Sequence, residues 1–326
     1  MTHEHDHRDH GHDGHDHKAH DHGHAHHGHS HGLGHSHAPT NFGRAFALTT
    51  GLNLALVVVQ VVYGLIADSM ALLADAGHNF GDAIGLILAW IAYTLGRVRA
   101  TERFTYGFRS ASILSAFANA VLLLVATGAI VWEAVRRFSE PPEVAGVTVM
   151  IVAGAGIVIN GLSAWILMAG QKDDLNIRGA YLHLVADAAV SVGVVIGGAV
   201  IVATGWNWVD PAVSLVIAVV IVWGTWGLLR ESFELSMQAV PKGIVLGDVR
   251  AYLEALPGIG GVHHLHVWAM STTENALTVH LVFPAGHPGD AFLSRVTDEL
   301  SRKFQIHHPT IQIEVADGTA CAIENH

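Results

Sequence analysis

Six long stretches with few polar positions follow one another between residues 44 and 230, after which the pattern changes. Ala45–Ile66, Ser110–Trp132, Val144–Gly170 and Pro211–Leu229 carry no charged residue. Met70–Leu95 is equally long but contains Asp75, His78 and Asp82, and Gly179–Gly205 contains His183 and Asp187. A bilayer core takes roughly 20 apolar residues per helix, so each stretch predicts a membrane span. Beyond residue 240 the pattern reads as a small α+β unit. Asp248–Leu256 has helical spacing and stops at Pro257-Gly258. Val262–Trp268 and Ala276–Phe283 read as strands around the polar turn Ser271–Asn275. Asp290–Phe304 predicts an amphipathic helix capped by Asp290, and Thr310–Val315 alternates like a half-exposed strand.

The expected architecture is therefore a membrane all-α six-helix transmembrane domain plus a cytoplasmic ferredoxin-like α+β domain. The expected boundaries are 1–40 for a disordered His-rich cytoplasmic tail, 41–232 for the membrane domain, 241–316 for the α+β domain and 317–326 for a C-terminal tail. The tail assignment follows from composition: residues 1–40 hold 16 of the 26 histidines, interrupted by Asp, Gly and Ala, and cannot bury a core. Those first residues also lack the apolar run of a cleavable signal.

Composition agrees with a membrane protein. Of the 326 residues, 51% are hydrophobic and 14% charged, against about 25% charged in soluble domains. The formal net charge of −11, with no basic patch, argues against a nucleic-acid partner. A single cysteine, Cys321, rules out an intrachain disulfide and a cysteine-rich metal finger. No Ser-His-Asp set, phosphate-binding loop or His-Glu-x-x-His pattern points to an enzyme.

Lysine and arginine place the connections. Arg97, Arg99, Arg103 and Arg109 follow the second stretch, Lys172 and Arg178 the fourth, and Arg230 the sixth, whereas Ala67–Ser69 and Trp206–Asp210 carry none. The positive-inside rule then puts both termini in the cytoplasm. Arg136 and Arg137 run against this pattern and are expected to snorkel from the end of the third span.

Within the spans, ionisable residues are expected in only two. His78 and Asp82 are four apart, and so are His183 and Asp187; residues i and i+4 share a helix face. If the two faces meet, they offer two nitrogens and two oxygens, a donor set suited to tetrahedral zinc. Magnesium and calcium prefer more ligands, all oxygen. Two carboxylates balance a divalent ion, and protons can balance the same carboxylates when the ion leaves, which suggests zinc–proton exchange. A hydrogen-bonding role for each buried residue is the bland alternative. Asp75 lies on the same face, as a supporting or solvated residue. Asn53, Asn79, Asn119 and Asn160 read as helix–helix hydrogen-bonding residues.

These residues carry a resemblance. Leu72–His78, Asp82–Leu86, Glu102–Gly107, His183–Asp187, Trp208–Pro211 and His264–Trp268 together are similar to the motifs of the cation diffusion facilitator family, zinc-transporter type, over about residues 44–316. The resemblance implies zinc efflux, with cobalt or cadmium also open; joined to the proton exchange read from the ligands, it makes an alternating-access antiporter the expected function. It implies a homodimer in a lipid bilayer, with His78, Asp82, His183 and Asp187 as the transport ligands; His at position 78 goes with zinc preference. It makes His266, His280 and Glu314 candidates for a zinc site in the cytoplasmic domain, with His263 a weaker candidate. Against these ligands stands the alternative of plain surface histidines, which are common on strands.

The chain departs from the family pattern in two places. Gly96–Phe108 offers only Glu102 and no His, so a second loop site is not expected. Gln171–Arg178 lacks the His-rich loop of organellar relatives, which favours a bacterial inner (plasma) membrane. The N-terminal histidine tract, interrupted unlike a purification tag, is read as a metal buffer. Cys321 is read as a free thiol or as a further ligand of the cytoplasmic site. His307 and His308 are read as exposed. The alternative function is a membrane-anchored zinc sensor or buffer that moves no metal.

Overall fold

The computed structural model describes residues 44–168 and 175–315, with side chains of 44–50 and 175–180 left aside. The His-rich tract, Gln171–Asp174 of the Gln171–Arg178 loop, Cys321 and the C-terminal tail lie outside the described residues.

Six helices come first: α1 (Arg44–Ile66), α2 (Met70–Gly96), α3 (Ala111–Ser139), α4 (Gly146–Met168), α5 (Leu175–Thr204) and α6 (Val209–Ser236). Among the described residues, α2 to α6 are each long and apolar enough to cross a membrane, while the apolar part of α1 that is described, Gly51–Ile66, is shorter. The cytoplasmic domain follows as α7 (Leu246–Glu254), β1 (Gly261–Ala269), β2 (Asn275–Val282), α8 (Asp290–Phe304) and β3 (Ile306–Glu314).

Packing in the helical part uses small residues, because lipid gives apolar helices no reason of their own to associate. Gly77, Gly81 and Gly85 form a stripe on α2 that faces α3. A Cβ at Gly81 would stand 2.6 Å from Leu123, and one at Gly85 2.7 Å from the Asn119 amide. Further contacts join α4 to α5, α3 to α6 and α1 to both α2 and α4.

Two sets of polar contacts define the two sides. Where α3 begins, Arg109 pairs with Glu274 in the β1–β2 turn, and Ser110 Oγ donates to the Met270 carbonyl at 3.2 Å. This is the domain side. On the far side, the α1–α2 turn meets the start of α6. Ser69 Oγ and the Met70 amide donate to the Asp210 carboxylate at 2.5 and 2.6 Å. Arg137 on α3 donates to the Asp68 carbonyl at 2.6 Å and pairs with Glu133 at 3.0 Å.

Two expectations are corrected here. Ionisable residues are not confined to α2 and α5. Helix α6 begins at Val209 and takes in buried Asp210, because that carboxylate satisfies donors at the start of α2. Helix α3 continues to Ser139, so Arg136 and Arg137 pair with Glu133 within the helix. In the cytoplasmic domain Asp290 is the first helical residue of α8, not its cap; Gly289 holds the cap position, with φ +89°, and no side chain caps the helix.

The domain's sheet has order β1-β2-β3, with β1 antiparallel and β3 parallel to β2. The parallel return needs a crossover, which α8 supplies. Leu277, Val279 and Leu281 alternate along β2 into a core with Leu253, Val296, Leu300 and Ile306. Each such buried side chain contributes roughly 1.5–3 kcal/mol. The even-numbered positions of β2 point to the other face.

Candidate metal centre

The two i, i+4 couplets do converge. His78 Nε2 stands 3.7 Å from Asp82 Oδ2 and 3.6 Å from Asp187 Oδ1. His183 Nε2 stands 3.3 Å from Asp82 Oδ2 and 3.4 Å from Asp187 Oδ2. Each imidazole thus faces both carboxylates. His78, Asp82 and His183 each offer one ligand atom within 4.8 Å of one another, and Asp187 closes the ring through its contacts with both histidines. The imidazole rings meet edge to face, with centroids 6.0 Å apart.

These separations fit an ion better than they fit hydrogen bonds. With zinc–ligand bonds of about 2.0–2.2 Å, neighbouring donors of a tetrahedron lie about 3.3–3.6 Å apart. The four histidine–aspartate separations span 3.3 to 3.7 Å, with Asp187 facing His78 through Oδ1 and His183 through Oδ2. Buried Asp82 Oδ2, Asp187 Oδ2 and His78 Nδ1 have no hydrogen-bond partner among the described residues. Buried polar atoms are normally paired.

The site is graded in exposure. Side-chain exposure is 2% at Asp187, 23% at His78, 32% at Asp82 and 45% at His183. Asp82 and His183 each lie one turn nearer the domain side than their partners. Toward the far side, Asp75 is fully buried rather than solvated, accepting from Gln60 Nε2 at 2.6 Å and Ser191 Oγ at 3.3 Å. Of the asparagines, Asn79 donates to the Asp75 carbonyl at 3.1 Å, and Asn119 packs on Gly85.

A second cluster lies on the sheet face away from the helices. Glu314 carries its carboxylate between His263 Nε2 and His280 Nδ1, each at 2.8 Å, and the three residues offer ligand atoms within 4.8 Å of one another. The expected set named His266, with His263 as the weaker candidate; the geometry brings His263 in and leaves His266 exposed and outside the group. The reason is register. His263 pairs across from His280, whereas His266 pairs with Thr278, and Glu314 pairs with Val282 at the opposite end from the turn. A bulge between His263 and His266, with His264 at φ +48°, sets that register.

The electrostatics of this face suit a cation. Burial acts to raise the Glu314 carboxyl, but His263 and His280 outweigh it and hold the group below the usual carboxylate range. His264, 5.0 Å from the His280 ring, is held below the ordinary imidazole value by desolvation and then by the His280, His263 and His266 rings. Periodicity gave no sign of His264 in this cluster, because the bulge is invisible to strand alternation.

Comparison with known proteins defines the class. Residues 47–235 match the model of the cation efflux transmembrane domain, and residues 241–316 match that of the cation efflux protein cytoplasmic domain. The chain belongs to the cation diffusion facilitator family of cation efflux transporters and is an integral membrane protein. It is 33% identical to the cadmium, cobalt and zinc/H(+)-K(+) antiporter of Bacillus subtilis over 86% of this chain and 92% of that protein. It is 36% identical to the zinc transporter ZitB of Escherichia coli over 86% and 93% of the two chains. Against the metal cation efflux system protein CzcD of Cupriavidus metallidurans it is 36% identical over 87% and 91%.

Proposed function

We propose that this protein exports zinc from the cytoplasm in exchange for protons, by alternating access, with cobalt and cadmium as further substrates. The ion is held by His78, Asp82, His183 and Asp187. The observation that carries this reading is the ring of four histidine–aspartate separations between 3.3 and 3.7 Å, close to the donor spacing around a zinc-sized ion, with Asp187 reaching the two imidazoles through its two different oxygens. A filled site has no net charge, which eases passage through a low-dielectric layer. Losing the ion frees two carboxylates and two imidazoles to take protons. The names of the related metal transporters, one of them an antiporter, support the same assignment.

The exposure gradient across the site corresponds to a carrier open toward the domain side, where cytoplasmic zinc is collected. In this reading the membrane domain has six spans, α1 included, and both termini are cytoplasmic in a bacterial inner membrane. The domain that follows is ferredoxin-like, since α8 returns the chain parallel to β2 beside a β1–β2 hairpin. It pairs two subunits into a homodimer. His263, His280 and Glu314 would hold a resident zinc there; two nitrogens and one carboxylate oxygen form a donor set that zinc accepts.

Reconstitution tests this directly. Protein in liposomes containing a zinc-sensitive dye moves zinc in response to a pH gradient if it is an antiporter. A membrane-anchored sensor or buffer binds zinc under the same conditions and gives no flux.

A further inference from the structure

Asp75 is a buried carboxylate for which the metal site has no use. It lies at 0% exposure, at membrane depth, and both groups that donate to its side chain are neutral. Gln60 Nε2 and Ser191 Oγ both donate to the same oxygen, Oδ2; the other oxygen, Oδ1, and the neighbouring Gln60 Oε1 are buried acceptors without a donor among the described residues. A proton on Oδ1 would remove the charge there and give the buried carboxyl a donor of its own. An ionised carboxylate in this position would carry an uncompensated charge into a water-poor layer.

Among the described residues no lysine or arginine pairs with Asp75 to replace that proton. On α2 itself the nearest ionisable group is His78, which faces Asp82 and Asp187. On α5 it is Asp187, one turn from Ser191. On α6, Asp210 is held by Ser69 and Met70. On α3, Glu133 is paired with Arg136 and Arg137. Helix α1 from Gly51 onward and α4 carry no charged residue.

Asp75 is also a tie between three helices. Through Gln60 and Ser191 it joins α2 to α1 and α5 on the far side of the metal site, where exposure has fallen to zero. A file of buried polar groups leads from it toward the domain side. A Cβ on Gly156 would stand 3.0 Å from Ser191 Oγ and 3.6 Å from Gln60 Nε2. Asn160 and Ser163 lie one and two turns further along the same face of α4. Asn53 lies two turns in the same direction from Gln60 on antiparallel α1. Asn160, Ser163 and Asn53 Oδ1 also lack partners among the described residues.

We propose that Asp75 is a proton-carrying residue separate from the zinc ligands, and that its protonation from the far side is what permits that side to close. The inference rests on the antiport reading above. One proton from the external water binds Asp75 Oδ1 when the far side is open. The neutral acid can then be buried against Gln60 and Ser191. On opening to the domain side the proton passes to water along the Asn160–Ser163 face, and the carboxylate, ionised again, favours reopening outward.

The test uses full-length protein in liposomes, with zinc flux measured with and without a pH gradient and zinc affinity measured in detergent. In the parent, the zinc ratio sustained across the membrane shifts by up to about tenfold per pH unit for each coupled proton. Asp75→Asn keeps the shape without the titrating group. It should bind zinc within about twofold of the parent, as expected of a site outside the ligand set. It should also respond less steeply to the gradient than the parent, by the share of one coupled proton, since the zinc site keeps its own proton exchange. Asp75→Asn with the parent's gradient response overturns the proposal and leaves the zinc site standing, whereas a parent that moves no zinc overturns the antiport reading itself. If Asp75→Asn does not fold, Ser191→Ala decides: it keeps the carboxyl and removes one of its donors, so the pH midpoint of flux should move, and an unmoved midpoint overturns the proposal.

Discussion

Asp187→Asn is the sharpest perturbation of the transport site. The asparagine has the same shape, but it removes one negative charge and keeps only one of the two oxygens that face the imidazoles, Oδ1 toward His78 and Oδ2 toward His183. In the parent, two aspartates balance a divalent ion. In the variant the filled site holds one unbalanced positive charge, beside a side chain that is 2% exposed and so poorly reached by water. A single charge at membrane depth costs roughly 2.5–3.5 kcal/mol on insertion scales. At about 1.4 kcal/mol per decade, zinc affinity should fall roughly 60- to 300-fold. Fold stability without metal should hold, since a neutral amide replaces one of two adjacent carboxylates. Competitive titration against a zinc chromophore in detergent measures the affinity, and thermal unfolding of the metal-free protein measures the fold. Affinity within about threefold of the parent would refute the charge-balance reasoning, as would an affinity loss accompanied by a large drop in the metal-free melting temperature.

Three further outcomes are expected. Asp210→Ala removes the acceptor for Ser69 and for the Met70 amide at the start of α2; it should destabilise the protein by about 1–3 kcal/mol, read by thermal unfolding, with zinc affinity unchanged. His263→Ala should remove one zinc per subunit from the cytoplasmic domain in metal counting, whereas His266→Ala should leave the count intact, because His266 pairs with Thr278 outside the cluster. The Tyr252 hydroxyl is pushed up to about 12 by burial and by the Glu299 charge. The folded domain therefore binds that proton more tightly than the unfolded chain, so its contribution is full below about pH 10 and is lost as pH rises toward 12. Tyr252→Phe should flatten this alkaline loss in the unfolding curves.

Much of this was legible in sequence because membrane spans and i, i+4 couplets are local signals. The limits of α2 and the pairing of His78 with Asp82 depend only on the α-helical repeat. That His183 and Asp187 face them depends on how α2 and α5 pack, and there the rarity of charge in the spans was informative: four ionisable groups at membrane depth need one another. Asp210 and Asp75 were harder. Asp210 sits in a connection by composition, and its role depends on the start of α2, far away in sequence. The fate of Asp75 is decided by Gln60 and Ser191, neutral residues that no charge pattern singles out. The grouping of His263, not His266, with His280 and Glu314 follows from one bulge residue that shifts the register, and a bulge leaves no trace in an alternating pattern.

Anomalous X-ray scattering from zinc-loaded crystals of the full-length protein tests the central claim most directly. The account predicts a zinc peak bonded by His78, Asp82, His183 and Asp187, absent from crystals of the Asp187→Asn variant grown at the same zinc concentration. Zinc found only on the cytoplasmic domain, with the four membrane residues bonded to no metal at saturating zinc, would contradict it.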